Sequence, residues 1–173
     1  MSPRRLLLGT GLPVLLLALL CGCGYSPVVP RGPLAQGNGV NVVLFANKSY
    51  RAGIESRLAR QMIDELALRT GGGVLPADRA DLELTGTVLS YESVPVSYTA
   101  VDTIKEYKAV VAVEAVLREQ RSKKVLWKGA LTEQQVYPVN ANIALQQNAE
   151  SAAIEKVCRR ISERVWQQVS QRF

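Results

Sequence analysis

From Tyr107 to Arg118 the chain reads YKAVVAVEAVLR. Tyr107, Ala109, Val111, Val113, Ala115 and Leu117 fall on one side, opposite Lys108, Val110, Ala112, Glu114, Val116 and Arg118. A period of two residues is that of a β-strand. The polar stretch Gln120-Arg121-Ser122-Lys123 follows, and Val125, Trp127, Gly129 and Leu131 then return with the same period towards Tyr137. The two runs predict an antiparallel hairpin. Its continuous apolar face has to be covered, and that requirement limits the fold more than any other feature of the chain.

Two segments have the helical spacing to provide the cover. Ile54, Leu58, Met62 and Leu66 recur every four residues, with Ile63 alongside, until Gly71-Gly72-Gly73 ends the pattern. Near the C-terminus Ile154, Val157, Cys158, Ile161, Val165 and Val169 form a second stripe, with Trp166 at its margin. Ahead of the first helix, Val40 to Phe45 is rich in β-branched residues and reads as a strand closed by a turn at Ala46-Asn47-Lys48-Ser49. Leu82, Leu84, Gly86 and Val88 alternate with Glu83, Thr85 and Thr87, predicting another strand to about Glu92. The expected fold is α+β: a four-stranded, mostly antiparallel sheet with two helices packed on one face.

The N-terminus carries a different message. Arg4 and Arg5 precede an apolar run from Leu6 to Leu20, broken only by Gly9, Thr10, Gly11 and Pro13, which is the pattern of a secretory signal peptide. Leu20-Cys21-Gly22-Cys23 then meets the needs of a lipoprotein signal peptidase. Gly22 is small at minus one, Leu20 is aliphatic at minus three, and Cys23 stands at plus one. Cys21 fails the same test, since bulky Leu20 would precede the cut. Residues 1–22 are therefore expected to be removed, and Cys23 to become the lipidated first residue. Fatty acids contribute about 0.8 kcal/mol for each methylene buried in the bilayer, so several chains anchor a protein durably. Gly24 at plus two is not the aspartate that retains lipoproteins in the inner membrane of enterobacteria, which points to the outer membrane, periplasmic side. Pro27, Pro30 and Pro33, with glycines up to Gly39, make residues 23–39 a flexible tether and leave 40–173 as one domain.

Little in the chain suggests catalysis. With no histidine, the usual general base near neutral pH is missing, together with any triad built on imidazole. Once residues 1–22 are gone, Cys158 is the one thiol besides Cys23, and its helical apolar setting suits a buried, inert group. No metal site, nucleotide loop or other cofactor motif is apparent, and GTGLP and TGGGV lack the lysine a phosphate loop requires. The chain is expected not to be an enzyme. Its net charge of +6 falls to +4 without the leader, which keeps a domain soluble and also favours anionic partners. Arg118, Arg121, Lys123, Lys124 and Lys128 cluster around one hairpin, and Arg159, Arg160 and Arg164 along the last helix. Nucleic acid is not expected as a partner, because the compartment excludes it.

One connection is unusual. Between the strands near Glu92 and Tyr107, Val94, Pro95, Val96, Tyr98, Val101 and Ile104 make a linking segment more apolar than an exposed loop should be. Pro95 opposes simple continuation of a ladder. The segment either folds back on its own sheet or projects as a tip that inserts into a partner.

Several stretches together resemble one family. Cys23-Gly24-Tyr25, the VVLFANKSYRAGIE entry, ADLELTGTVLSYESVPVSYT, EYKAVVAVEAVL and KVLWKG look like the lipopolysaccharide-assembly lipoproteins, the LptE family, from Cys23 almost to the C-terminus. A VVLFANKS-like strand also opens peptidoglycan-synthase activators of the LpoB kind and the CsgG group, so regulation of a peptidoglycan synthase is the alternative reading. The resemblance implies a protein that sits in the lumen of the outer-membrane β-barrel LptD, assists its assembly, and meets lipopolysaccharide during transfer to the outer leaflet. The barrel would be met through the 94–104 segment. Basic residues proposed to touch lipopolysaccharide in the family correspond here to uncharged Val96-Ser97-Tyr98-Thr99 and Ala144-Leu145-Gln146-Gln147, leaving Lys105 and Lys108 as the nearest candidates.

Overall fold

The structure, a computed structural model, describes Leu34 and residues 38–171. The expected signal peptide, Cys23 and most of the expected tether lie outside the described residues.

The elements run β1 (Val40–Val42), β2 (Ala46–Asn47), α1 (Ile54–Thr70), β3 (Leu82–Tyr98), β4 (Ile104–Glu119), β5 (Val125–Pro138) and α2 (Ile143–Gln171). They form an α+β domain. Its sheet is ordered β1-β3-β4-β5, with β2 also on β3. The long strands pair antiparallel, whereas β1 and β2 lie parallel to β3. The sheet thus has five strands where four were expected, because the strand read over Val40 to Phe45 stops at Val42 and a short strand forms at Ala46–Asn47, where a turn was expected. Val40 is buried on the helix side, and in an unbroken strand odd-numbered Phe45 would point the other way. Interrupting the strand after Val42 lets Phe45 turn inward, where it is 2% exposed and packs over Gly86.

The same logic governs β3. Leu82, Leu84 and Val88 are buried, and then Tyr91, an odd position, is buried too. The register shift between Val88 and Ser90 makes that possible, and it leaves Leu89 exposed.

Both helices pack on one sheet face and on each other. The stripes expected from spacing are the buried ones: Ile54, Leu58, Met62 and Leu66 on α1, and Ile154, Val157, Cys158, Ile161, Val165 and Val169 on α2. They meet Ala109, Val111, Val113, Ala115 and Leu117 of β4 in one core. Ile63, beside the α1 stripe, is exposed. Gly71, at a φ of 67°, ends α1 in a left-handed turn that a side chain would disfavour. Asn142 caps α2, accepting the N–H groups of Ala144 and Leu145 at 2.9 and 3.2 Å. Leu34 is buried beside Val40, Leu66, Leu117 and Val165, at the end of the sheet where β4 turns into β5.

No described element covers the opposite sheet face. It presents Thr85, Thr87 and Val94 from β3, Val110, Ala112 and Glu114 from β4, and Lys128, Ala130, Thr132 and Val136 from β5.

Candidate partner-binding surface

The segment expected to be a separate connection is the end of a hairpin. β3 continues through Pro95 to Tyr98, and β4 begins at Ile104. Pro95 lies opposite Tyr107. It is tolerated because β1 and β2 stop short of it, the last pairing being Asn47 with Val88, so β3 is an edge strand there and a missing N–H costs no ladder bond. Of the two arrangements open to the segment, folding back on the sheet is not the one seen.

This hairpin outruns its neighbours on both sides. β5 ends at Pro138, opposite Glu106. With 17 residues in β3, at about 3.3 Å each, the hairpin is about 55 Å long. Beyond Glu106 its end has no flanking strand among the described residues. The turn is nevertheless closed: Thr99 N–H donates to the Thr103 carbonyl at 2.8 Å, Asp102 N–H to the Thr99 carbonyl at 3.1 Å, and Thr103 N–H to the Thr99 hydroxyl at 3.2 Å. Asp102 takes the left-handed conformation at a φ of 58°. Just below, the Ser97 hydroxyl donates to Glu106 at 2.7 Å.

The apolar side chains divide by position. Val101 is 81% exposed and Tyr98 56%, so the tip offers two large apolar groups to solvent. Pro95 and Val96 are exposed on its flanks, while Val94 and Ile104 are half-buried. Lys105 is exposed just below the turn; Lys108 is half-buried on the bare face, between Val94 and Val136. Among the described residues neither lysine is in an ion pair, and the two do not converge on one site.

A group of tyrosines braces the hairpin where it leaves the helices, which sequence reasoning missed. Tyr91 donates its hydroxyl to Glu150 of α2 at 2.6 Å, and Arg51 reaches the same carboxylate at 3.2 Å. Tyr50 tilts against Tyr91 with ring centres 5.5 Å apart, and Tyr107 stacks on Tyr137 at 5.9 Å. The Ser93 and Tyr137 hydroxyls bond at 2.6 Å. Burial, and then the Glu150 carboxylate, push the Tyr91 phenol well above its ordinary range, and burial also raises Tyr137, so both are neutral, with Tyr91 the donor to Glu150. The available signal was Tyr91 and Ser93 two apart on one strand face.

The basic clusters are only partly paired, and Arg118, Arg121 and Lys124 are in no ion pair among the described residues. Lys123 pairs with Glu83 at 3.2 Å and Lys128 with Glu114 at 2.9 Å. Arg159 lies 3.9 Å from Glu163, and Arg160 and Arg164 flank buried Glu133 at 3.6 and 2.7 Å. Cys158 is fully buried; burial, followed by nearby Glu155, pushes its thiol up to about 12, which makes it inert. No cluster able to hold a metal ion occurs among the described residues, and no described helix is long and apolar enough to cross a membrane.

One sheet face is thus bare among the described residues, and the β3–β4 hairpin runs past the strands on both sides. The model of the lipopolysaccharide-assembly family LptE matches residues 38–169, spanning both helices and the whole sheet. The chain belongs to the LptE family. This LptE-family protein is accordingly a non-enzymatic assembly protein. Solved structures share its fold. A Xanthomonas campestris protein aligns with a TM-score of 0.60 and 13% identity, over 85% of this chain and 91% of its own. Rare lipoprotein B from Shewanella oneidensis gives 0.51 and 17%, over 73% and 93%. A minor lipoprotein from Acinetobacter baumannii gives 0.51 and 15%, over 78% and 92%. No curated protein matches the LptE-family chain in sequence.

Proposed function

We propose that this chain is an outer-membrane lipoprotein, anchored through Cys23 after removal of residues 1–22 and carried on a tether to residue 39. Its domain plugs an LptD-type β-barrel and assists the barrel's assembly for lipopolysaccharide transport. The observation that carries this reading is the hairpin tip. Tyr98 and Val101 are exposed apolar groups on a turn closed by its own hydrogen bonds, and such a tip gains by burial in a partner without having to be ordered first.

In this reading Val94, Pro95, Val96, Tyr98, Val101 and Ile104 form the insertion element, with Tyr98 and Val101 leading. Lys105 and Lys108 are the residues assigned to lipopolysaccharide phosphates. They lie near the tip, and neither is in an ion pair among the described residues.

Affinity purification of the tagged full-length chain from detergent-solubilised native membranes tests the partnership. The expected result is a large barrel protein whose gel mobility changes on heating. Recovery of a penicillin-binding protein in its place would overturn the reading in favour of peptidoglycan-synthase regulation.

A further inference from the structure

β5 is the last strand of the sheet, and no described strand pairs with its outer side. The ladder fixes which of its backbone groups face outward. Arg160 donates an Nη2 hydrogen bond to the Gln134 carbonyl, and Gln135 Nε2 donates to the Val136 carbonyl at 2.8 Å, so both carbonyls point away from β4. In an antiparallel ladder the N–H and C=O of one residue point the same way and successive residues alternate. The β4–β5 register runs without a shift from Trp127 to Pro138. Lys128, Ala130 and Thr132 therefore also turn both groups outward. Pro138 has the same parity and lacks an N–H where the ladder needs none.

The edge is thus capped by its own side chains towards Pro138 and open from Lys128 to Thr132. A row of free N–H and C=O groups is satisfied by an extended chain laid alongside it. The bordering charges select among extended chains. Lys128 and Arg164 are more than half exposed, and Arg160 reaches round the same edge. Lys128 is balanced by Glu114, whereas Arg160 and Arg164 share the one buried Glu133, so this border keeps an excess of positive charge. A second copy of this chain would bring two cationic borders together, and a closed barrel has no free strand edge to offer.

We infer that the open edge of β5, from Lys128 to Thr132, binds an extended acid-bearing segment of a partner protein by strand addition. This surface is separate from the hairpin tip and stands or falls independently of barrel insertion.

The test uses the purified full-length chain in detergent and a fluorescein-labelled peptide alternating glutamate and valine, followed by anisotropy. Saturable binding is expected. It is expected to weaken by about tenfold or more in Ala130→Pro, which removes an outward N–H without breaking a β4 bond, and to fall in Lys128→Glu. The same peptide N-methylated at alternate residues keeps its charge but loses its backbone donors, and is expected not to bind. This arm needs no protein variant, so it holds even if Ala130→Pro misfolds. Lack of saturable binding, or equal binding of the methylated peptide, overturns the inference. So does a concentration-dependent dimer in sedimentation that Ala130→Pro abolishes, which would make the edge a self-association surface.

Discussion

The Tyr91 hydroxyl donates to the Glu150 carboxylate at 2.6 Å, joining the middle of β3 to the early turns of α2. Arg51, just ahead of α1, reaches the same carboxylate. One acid therefore ties both helical segments to the strand that carries the hairpin. Tyr91→Phe keeps the ring and removes the bond. Losing one hydrogen bond to a charged acceptor is expected to cost about 1–2 kcal/mol, read as a lowered urea midpoint with an unchanged slope.

Gly86 is a packing glycine. A Cβ there would lie 2.6 Å from the Glu114 carbonyl oxygen and overlap the Phe45 ring. Gly86→Ala is expected to destabilise by about 1–3 kcal/mol. Adding Phe45→Leu relieves the ring contact but not the backbone one, so thermal melts of the double variant are expected to show partial recovery at most.

The Glu55 carboxyl is held below its ordinary value of 4.5, first by its own backbone amide, against the opposing effect of burial, and further by Asn47 and the Gly53 N–H. A lowered folded-state value means the stabilisation is full above the ordinary carboxylate range and is lost as pH falls through the lowered value. Melting temperatures of Glu55→Gln and the unaltered chain are expected to differ above about pH 5 and to converge in acid.

The sheet and both helices were legible because each buries one regular face. Ala109 to Leu117 alternates without a break, and the α2 stripe keeps helical spacing for most of its length. What escaped were changes of phase. The break after Val42 and the bulge at Leu89 each shift the inward parity by one residue, and neither is marked by a turn residue. Pro95 looked like the end of a ladder, since a strand's status as edge or centre is a property of the assembled sheet. The Tyr91–Glu150 bond joins residues 59 apart, and the pairing of the arginines with Glu133 likewise depends on how α2 settles over β5.

Attachment through Cys23 predicts that Cys23→Ala stops acylation and, since the lipoprotein signal peptidase needs that cysteine, leaves residues 1–22 uncleaved, so that the chain is lost from the outer-membrane fraction as a larger, unacylated precursor. Fractionation with immunoblotting reads this directly. Undiminished outer-membrane association of the variant, at the mature size, would remove the anchor assignment.

The most direct test of the central claim is photo-crosslinking from the hairpin tip. A benzoylphenylalanine placed at Val101, which is 81% exposed, leaves the core untouched. On irradiation of native cells the account predicts a covalent adduct between this chain and the LptD-type barrel. Irradiation that yields no barrel adduct from either Val101 or Tyr98, or that joins the tip to a peptidoglycan synthase, would contradict it.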